Sequence, residues 1–188
     1  MRIISGSLKG RSIIAPSNLP TRPTTDFAKE GLFNMLQSRL DKDYSELAIL
    51  DLFCGTGNIS YEFASRGCKA LTCVEVDFKC FEFIRKTMTA FALPGVKVVR
   101  NDVFLFLKIC KIKFDIIFAD PPYEMPNIEK IHQQVFERQL LKSGGMLIIE
   151  HGVKTNLGKL PHFVEKRSYG NVNFSIFELK DSPSEWKK

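Results

Sequence analysis

Four carboxylates stand at the ends of apolar runs that have the length of buried strands. These acids are Asp51, Glu75, Asp102 and Asp120. If the runs are parallel strands of one sheet, their carboxyl ends meet at one edge, and ligands of open α/β sheets bind at that edge. The pattern therefore predicts a ligand site lined by several carboxylates at one edge of a single sheet.

The first of these acids begins the glycine turn DLFCGTGN, residues 51–58. Gly55 and Gly57 allow a tight strand-to-helix turn and a close approach of the backbone to a ligand, and the amides of the next helix favour an anionic group. Glu75 follows at about 20 residues, the spacing of an acceptor for ribose hydroxyls. This spacing predicts a nucleoside cofactor site, and Phe53 is expected to line its cleft.

The chemical nature of the cofactor follows from the charge beside this turn. The dinucleotide fingerprint requires a third glycine, where this chain has Ser60. Asp51 would repel a pyrophosphate but favours an ammonium, and an ammonium joined to a ribose and an adenine indicates S-adenosylmethionine. We expect Asp51 to face the amino end of this cofactor and Glu75 its ribose. Asp102 is expected to bind the adenine amine, with Asn101 as an alternative.

The segment FADPPY, residues 118–123, leaves the fourth strand beside the expected methyl donor. An exocyclic amine of a base is a weak nucleophile, because its lone pair is delocalised into the ring. The Asp120 carboxylate and the Pro121 carbonyl could accept both N–H bonds and draw the amine towards tetrahedral geometry. Tyr123 would stack on the base. These three residues are the predicted catalytic residues, and Asp120 also borders the cofactor and takes the released proton.

Strands and helices alternate in the order needed to position these residues. From about residue 47, five apolar runs alternate with helical segments, which predicts a parallel sheet covered on both faces. Two further strands around the Tyr-Gly-Asn turn at 169–171 predict an antiparallel hairpin that closes the sheet. Ahead of them, Asp26 is the expected N-cap of a helix over 27–40, in which Gly31 lowers the helical propensity.

One further helix boundary is inferred from glycines. The helical pattern over 128–141 is expected to end at KSGG, residues 142–145, because glycine is a poor helix former. The fifth strand then covers 146–151. Taken together, the elements predict a doubly wound, Rossmann-like α/β fold with a mostly parallel sheet.

The net charge of +6 is concentrated towards the N-terminal end. Residues 1–25 carry no acidic side chain and four basic ones, Arg2, Lys9, Arg11 and Arg22. Apolar runs around Gly6 and Gly10 predict a small β-hairpin, and its charge predicts contacts with RNA phosphates. We therefore expect a basic arm over 1–25, one enzymatic domain over 26–180 and a flexible tail over 181–188.

Cysteine usage and hydropathy argue against several classes of protein. The five cysteines are odd in number and form no CxxC pair, which favours reduced thiols over disulfides or a zinc site. Cys54 lies in the cofactor turn and not on the substrate loop, so we do not expect it to be a nucleophile. No apolar run approaches the roughly 18–20 residues of a membrane span, and no signal peptide is evident. We expect a cytoplasmic protein without a metal or a membrane anchor.

Several motifs resemble those of a known family. DLFCGTGN and DPPY at this separation are similar to the motifs of class I methyltransferases that act on exocyclic amines. MRIISGSLKGR, TRPTTDFAKEGLFNML and the YG hairpin resemble more specifically the RsmD-type 16S rRNA (guanine-N2) methyltransferases, over 1–179. The resemblance implies a seven-stranded sheet and a metal-free monomer. It also implies that the partner is 16S rRNA or an assembling small ribosomal subunit.

The same resemblance implies that RPTT, residues 22–25, binds the methionine end of the cofactor, which adds Arg22 and Thr24 to the predicted cofactor-binding residues. DPPY is shared with adenine-N6 enzymes, so methylation of adenine in DNA or RNA stays open. Amide methylation of a protein by a related loop is a further alternative. A domain that binds S-adenosylmethionine or RNA without catalysis is the non-enzymatic alternative.

Overall fold

A computed structural model describes residues 1–19 and 24–180 of the chain. Two of the expectations above fall outside this part. One is the assignment of Arg22 to the cofactor and to RNA, and the other is the flexible tail over 181–188. Both stay predictions.

Seven strands and five α-helices alternate along the described residues. The strands are β1 (Ala48–Leu52), β2 (Ala70–Glu75), β3 (Val96–Arg100), β4 (Phe114–Ala119), β5 (Leu141–His151), β6 (Phe163–Tyr169) and β7 (Val172–Glu178). The helices are α1 (Asp26–Arg39), α2 (Asn58–Ser65), α3 (Phe78–Ala90), α4 (Val103–Ile109) and α5 (Glu129–Glu137), and a 3-10 helix covers Tyr44–Glu46. None of these helices is both long and apolar enough to cross a membrane.

All seven strands form one sheet, in the order β3-β2-β1-β4-β5-β7-β6. Strands β1 to β5 are parallel to one another, and β7 lies antiparallel between β5 and β6. Strand β1 is paired with both β2 and β4, so the chain reverses its direction of winding between β1 and β4. This is the topological switch point of a doubly wound sheet. The predicted Rossmann-like fold with an antiparallel C-terminal hairpin is confirmed.

Each face of the sheet has its own apolar core, because successive residues of a strand point to opposite faces. One core contains Ile49, Cys73, Phe118 and Ile148 with apolar residues of α1, α2 and α3. The other contains Leu50, Val74, Ala119 and Ile149 with apolar residues of α4 and α5. The position of a residue along its strand therefore decides which layer of helices it meets.

The N-terminal segment lies against α2. An antiparallel bridge pairs Arg2 with Ser12. The buried carboxylate of Glu62, in α2, accepts hydrogen bonds from the main-chain N–H groups of Ile4 and Ser5 at 2.7 and 3.0 Å. Because a buried carboxylate requires such partners, the contact fixes the beginning of the chain onto the domain.

The start of α1 differs by one residue from the expectation. Thr25 is the N-cap, and its hydroxyl accepts a hydrogen bond from the N–H of Ala28 at 3.2 Å. Asp26, the expected cap, is instead the first helical residue, where its charge favourably meets the positive end of the helix dipole.

The expected boundary at KSGG, residues 142–145, is wrong. Helix α5 already ends at Glu137, and Gln139 adopts a left-handed φ of 52°. The glycines belong to β5, where the N–H of Gly144 donates to the carbonyl of Leu179 at 2.8 Å. The first part of β5 thus pairs with the residues that follow β7. The propensities of the glycines themselves could not predict this contact between distant segments.

Gly31 in α1 is explained by a close tertiary contact. A Cβ at this position would lie 2.0 Å from the ring of Tyr169 in β6. The ring itself packs edge-on against Phe27, with centroids 5.7 Å apart, and against Phe174 at 5.8 Å. The glycine therefore makes room for an aromatic cluster between α1 and the C-terminal hairpin.

We predict that Gly31→Ala destabilises the protein by about 1–3 kcal/mol through overpacking, although alanine normally favours a helix by about 1 kcal/mol over glycine. In a Tyr169→Ala background, the same substitution should stabilise the protein. Guanidinium unfolding followed by circular dichroism measures both. A stabilising effect of Gly31→Ala in both backgrounds would contradict the contact.

Candidate functional site

A cavity of about 420 Å³ opens where β1, β2 and β4 end. It lies at the switch point of the sheet, and its volume suits a small-molecule ligand. Its walls come from Thr24 ahead of α1, the turn after β1, the end of β2 and the loop after β4. Of the residues predicted from the sequence, the cavity is lined by Thr24, Asp51, Phe53, Gly55, Glu75, Asp120, Pro121 and Tyr123.

Strand alternation places the carboxylates of this edge on the same face of the sheet. Asp51, Glu75 and Glu150 each lie two residues beyond a core residue that packs under α1, α2 and α3. All three are less than one-tenth exposed. Asp120 comes directly after β4 at the same edge. Three of the four expected acids, Asp51, Glu75 and Asp120, thus meet at this edge, and Glu150 joins them although the sequence analysis did not include it.

The turn after β1 adopts the left-handed conformations that the glycines were expected to allow. Gly55 and Gly57 have φ of 54° and 83°. A Cβ on Gly57 would lie only 3.0 Å from the ring of Tyr61, so a side chain there would also be crowded. Phe53 adopts φ of 57° without being a glycine, a strained conformation of the kind found at ligand sites.

Glu75 ties this turn to the end of β2. One of its carboxylate oxygens accepts the N–H of Gly55 at 2.8 Å, and the other accepts the N–H of Asp77 at 2.8 Å. Each carboxylate oxygen can accept a second hydrogen bond. Glu75 can therefore hold the turn and still accept hydroxyl groups of a ligand.

Asp51 is buried beneath the turn and accepts a short hydrogen bond from the Ser60 hydroxyl. Burial raises its pKa to about 7; the Ser60 hydrogen bond opposes the shift and the charge of Glu75 adds to it. A cation placed beside this carboxylate would favour its ionised form. Ser60, which replaces the third glycine of a dinucleotide site, thus serves to orient Asp51.

Glu150 and Asp120 form a second pair of acids. Burial raises the pKa of Glu150 to about 7, against the effect of hydrogen bonds from the hydroxyls of Thr24 and Tyr123. The pKa of Asp120 is raised well above its usual range by burial, then by the charges of Glu150 and Asp51. Both carboxyls therefore bind a proton more readily than an exposed acid does.

Two of the predicted catalytic residues flank the loop after β4 in different environments. Pro121 is buried, whereas the side chain of Tyr123 is 57% exposed at the mouth of the cavity. The exposed ring offers a stacking surface next to Asp120.

Asp102 is not brought into the cavity. It is exposed and caps α4 by accepting the N–H of Leu105 at 3.0 Å. Gly57, the N-cap of α2, does not line the cavity either. The contact of Asp102 with an adenine stays a prediction.

The basic residues that the structure describes in the N-terminal segment, Arg2, Lys9 and Arg11, are exposed, and two of them have partners. Arg2 forms an ion pair with Glu30 at 3.3 Å. The guanidinium of Arg11 lies 5.3 Å from the ring centre of Phe91. Lys9 is exposed. The Glu30 carboxylate therefore offsets the charge of Arg2, whereas Lys9 and Arg11 keep theirs for RNA phosphates.

A buried lysine links this segment to the cavity. The Nζ of Lys29 donates to the carbonyl of Arg2 at 2.6 Å and to the side-chain oxygen of Asn58 at 2.8 Å. Asn58 in turn donates to the carbonyl of Thr24 at 2.8 Å. Burial lowers the pKa of Lys29, while the charge of Glu62 opposes this. Lys29 stands three, four and seven residues before the buried Leu32, Phe33 and Leu36, so helical periodicity places it on the buried face of α1. The sequence analysis did not identify it, although this spacing could have.

Cys54 has no sign of activation. Its thiol is buried in the turn, and burial raises its pKa well above the usual range, which disfavours the reactive thiolate. Within residues 1–19 and 24–180, no group of three or more His, Cys, Asp or Glu side chains could hold a metal ion.

Comparison with known protein families identifies the family of this chain. The model of the family described as Conserved hypothetical protein 95 matches residues 1–178. The chain belongs to this family. The resemblance to RsmD-type methyltransferases that the motifs indicated is confirmed.

Curated relatives of the family cover most of the chain. The putative rRNA methyltransferase YlbH of Bacillus subtilis is 34% identical over 188 residues, which cover 96% of this chain and 100% of the relative. The ribosomal RNA small subunit methyltransferase D of Escherichia coli is 27% identical and covers 86% of this chain and 79% of its own length.

Solved structures share the fold. The putative methyltransferase yhhF of Escherichia coli has a TM-score of 0.82 at 24% identity and covers 97% of this chain and 99% of its own. An RNA methyltransferase from Salinibacter ruber, solved with S-adenosyl-L-homocysteine, has a TM-score of 0.65 at 16% identity, over 87% and 97% of the two chains. These likenesses confirm the class I methyltransferase fold.

We predict that Glu75→Gln destabilises the protein by about 1–3 kcal/mol, because the new amide group cannot accept one of the two buried N–H donors. Chemical denaturation measures the loss. Glu46→Gln is the matched control, since Glu46 is exposed and its substitution should change stability by less than about 0.5 kcal/mol. Equal stability of the two variants would contradict the role of Glu75 in the turn.

Proposed function

We propose that this protein transfers a methyl group from S-adenosylmethionine to the exocyclic N2 amine of a guanine in small-subunit (16S) ribosomal RNA. The observation that carries the proposal is the arrangement of Asp51, Glu75 and the loop over 120–123 around one cavity. Both halves of the reaction, a cofactor site and an amine-binding loop, therefore share one edge of the sheet. The ribosomal RNA methyltransferases among the relatives support the substrate class.

The donor set suits S-adenosylmethionine. The buried carboxylate of Asp51 suits its ammonium, Glu75 its ribose hydroxyls, and Thr24 its methionine end, while Phe53 offers an apolar wall. When bound, the cofactor supplies a methyl group whose bond to sulfur breaks as its bond to the amine nitrogen forms, leaving a neutral thioether. The fold shared with a structure that contains S-adenosyl-L-homocysteine supports this assignment.

The loop after β4 would activate the amine. The Asp120 carboxylate and the Pro121 carbonyl accept the two N–H bonds, so the nitrogen lone pair is directed towards the methyl group. The exposed ring of Tyr123 stacks on the base, a contact worth roughly 1–3 kcal/mol. The methylated nitrogen then loses its extra proton to Asp120, which the surrounding burial and charge make a good acceptor.

The direct test is transfer of radiolabel from S-adenosylmethionine to undermethylated small ribosomal subunits and to free 16S rRNA, followed by nucleoside digestion. Label in N2-methylguanosine is the expected result. Label in N6-methyladenosine would overturn the guanine assignment and keep the chemistry, since both amines require the same acceptors. Absence of label with intact cofactor binding would indicate a binding domain or a protein substrate.

The methylation rate is expected to rise with pH as Asp120 becomes ionised, because the carboxylate is the stronger acceptor of an N–H bond and only the ionised form can take up the released proton. Since the pKa of Asp120 is raised, this rise should occur well above the usual pH range of an aspartate. Asp120→Asn should lower the single-turnover rate by roughly 100-fold or more. Glu124→Gln, on the exposed part of the same loop, should retain the wild-type rate and pH profile.

We further predict that the N-terminal segment binds RNA phosphates through Lys9 and Arg11. Changing both to Gln should weaken RNA binding and flatten the plot of log affinity against log salt by about 1.5. Lys111→Gln with Lys113→Gln is a control of equal charge, because these exposed lysines directly precede β4 and lie outside the N-terminal segment. An unchanged salt slope in the Lys9 and Arg11 variant would contradict the role of the segment.

A further inference from the structure

The pairing of β4 with β5 brings a second acid next to Asp120. The last paired residues of these parallel strands are Ala119 and Ile149. The next residues, Asp120 directly after β4 and Glu150 still within β5, therefore lie side by side at the ligand-binding edge of the sheet. Glu150 is 2% exposed, so its carboxylate requires polar partners from the protein.

Glu150 finds these partners on two segments that are far apart in the sequence. The hydroxyl of Thr24, from the segment ahead of α1, donates to Glu150 at 2.9 Å. The hydroxyl of Tyr123, from the loop after β4, also donates a hydrogen bond to Glu150. One buried carboxylate thus joins a wall of the cofactor cavity to the loop that would bind the base.

A second contact holds the same loop against β5. Gly152 follows the end of the strand, and a Cβ at this position would lie 3.3 Å from the ring of Tyr123. The ring therefore packs against the main chain two residues beyond Glu150 while its hydroxyl is bound by the carboxylate. Tyr123 is thus held at both its ring and its hydroxyl.

We propose that Glu150 is a positioning residue of the methyl-transfer site, which ties the loop carrying Tyr123 to the segment carrying Thr24 beside the carboxyl of Asp120. The inference rests on the proposed function and deepens it. It accounts for a buried acid that neither the cofactor nor the base needs to contact. Glu150 acts through Tyr123, Thr24 and Asp120.

The placement also has an electrostatic consequence. The acids that act on Asp120 are Glu150 from β5 and Asp51 from β1, and both raise its pKa in addition to the effect of burial. Two carboxyls at such close quarters share protons as a coupled pair. Removal of the Glu150 charge therefore lowers the pKa of Asp120, so the pH at which the methylation rate rises should also fall.

Two substitutions separate the positioning contact from the charge. Glu150→Gln removes the charge and leaves only one amide oxygen for the two hydroxyl donors. We expect the single-turnover rate to fall roughly tenfold to 100-fold and the rise of the rate with pH to move to lower pH. Tyr123→Phe keeps the ring and the Glu150 charge, so it should slow the reaction without lowering the pH of the rise.

The measurement is the single-turnover methylation rate from pH 5 to pH 10 for both variants, with Glu124→Gln as the control and circular dichroism to show that each variant is folded. Wild-type rates and pH profile in Glu150→Gln would overturn the inference. If Glu150→Gln fails to fold, a wild-type rate in Tyr123→Phe would overturn it. A wild-type protein that methylates no RNA would contradict the proposed function instead, which distinguishes the two failures.

Discussion

Burial of several carboxylates at one edge of the sheet is the constraint on which the rest of the site depends. Asp51, Glu75 and Glu150 are each less than one-tenth exposed, and a buried acid is costly unless it is hydrogen-bonded. The protein supplies those hydrogen bonds itself: Asp51 accepts one from Ser60 in α2, and Glu75 and Glu150 accept theirs from loops, which they thereby hold in place. The same hydrogen bonds thus offset the free-energy cost of burying each acid and hold the segments around the cavity in place.

The segments around the cavity are connected through these polar contacts rather than through apolar packing alone. Glu75 holds the turn after β1, and Glu150 holds Thr24 and Tyr123. Asn58 joins Thr24 to Lys29, and Lys29 donates to the main-chain carbonyl of Arg2. The N-terminal segment, the wall of the cavity at Thr24 and the loop after β4 therefore belong to one hydrogen-bonded unit.

Most of the fold could be predicted from the sequence because its signals are local. Apolar runs, the glycine turn and the acids that follow the runs gave the sheet and the cavity edge. Glu150 was missed although it closes the fifth run as the other acids close theirs, and strand alternation would have identified it. The β5 extension at 142–145 depends on a distant part of the chain, so no local pattern predicts it. The burial of Lys29, in contrast, follows from its helical spacing to Leu32 and Phe33. Asp102 follows a strand as expected, yet its helix cap draws it out of the cavity lining.

We propose that the buried carboxylates at this edge of the sheet bind a cationic cofactor. Calorimetric titration with S-adenosylmethionine in buffers of different ionisation enthalpy tests this proposal most directly. The change of the binding enthalpy from buffer to buffer gives the number of protons released on binding. With the pKa of Asp51 at about 7, binding at pH 7 should release about half a proton per cofactor from this residue, and Asp51→Asn should abolish that release and weaken binding. Binding without proton release, or with equal release in Asp51→Asn, would contradict the account.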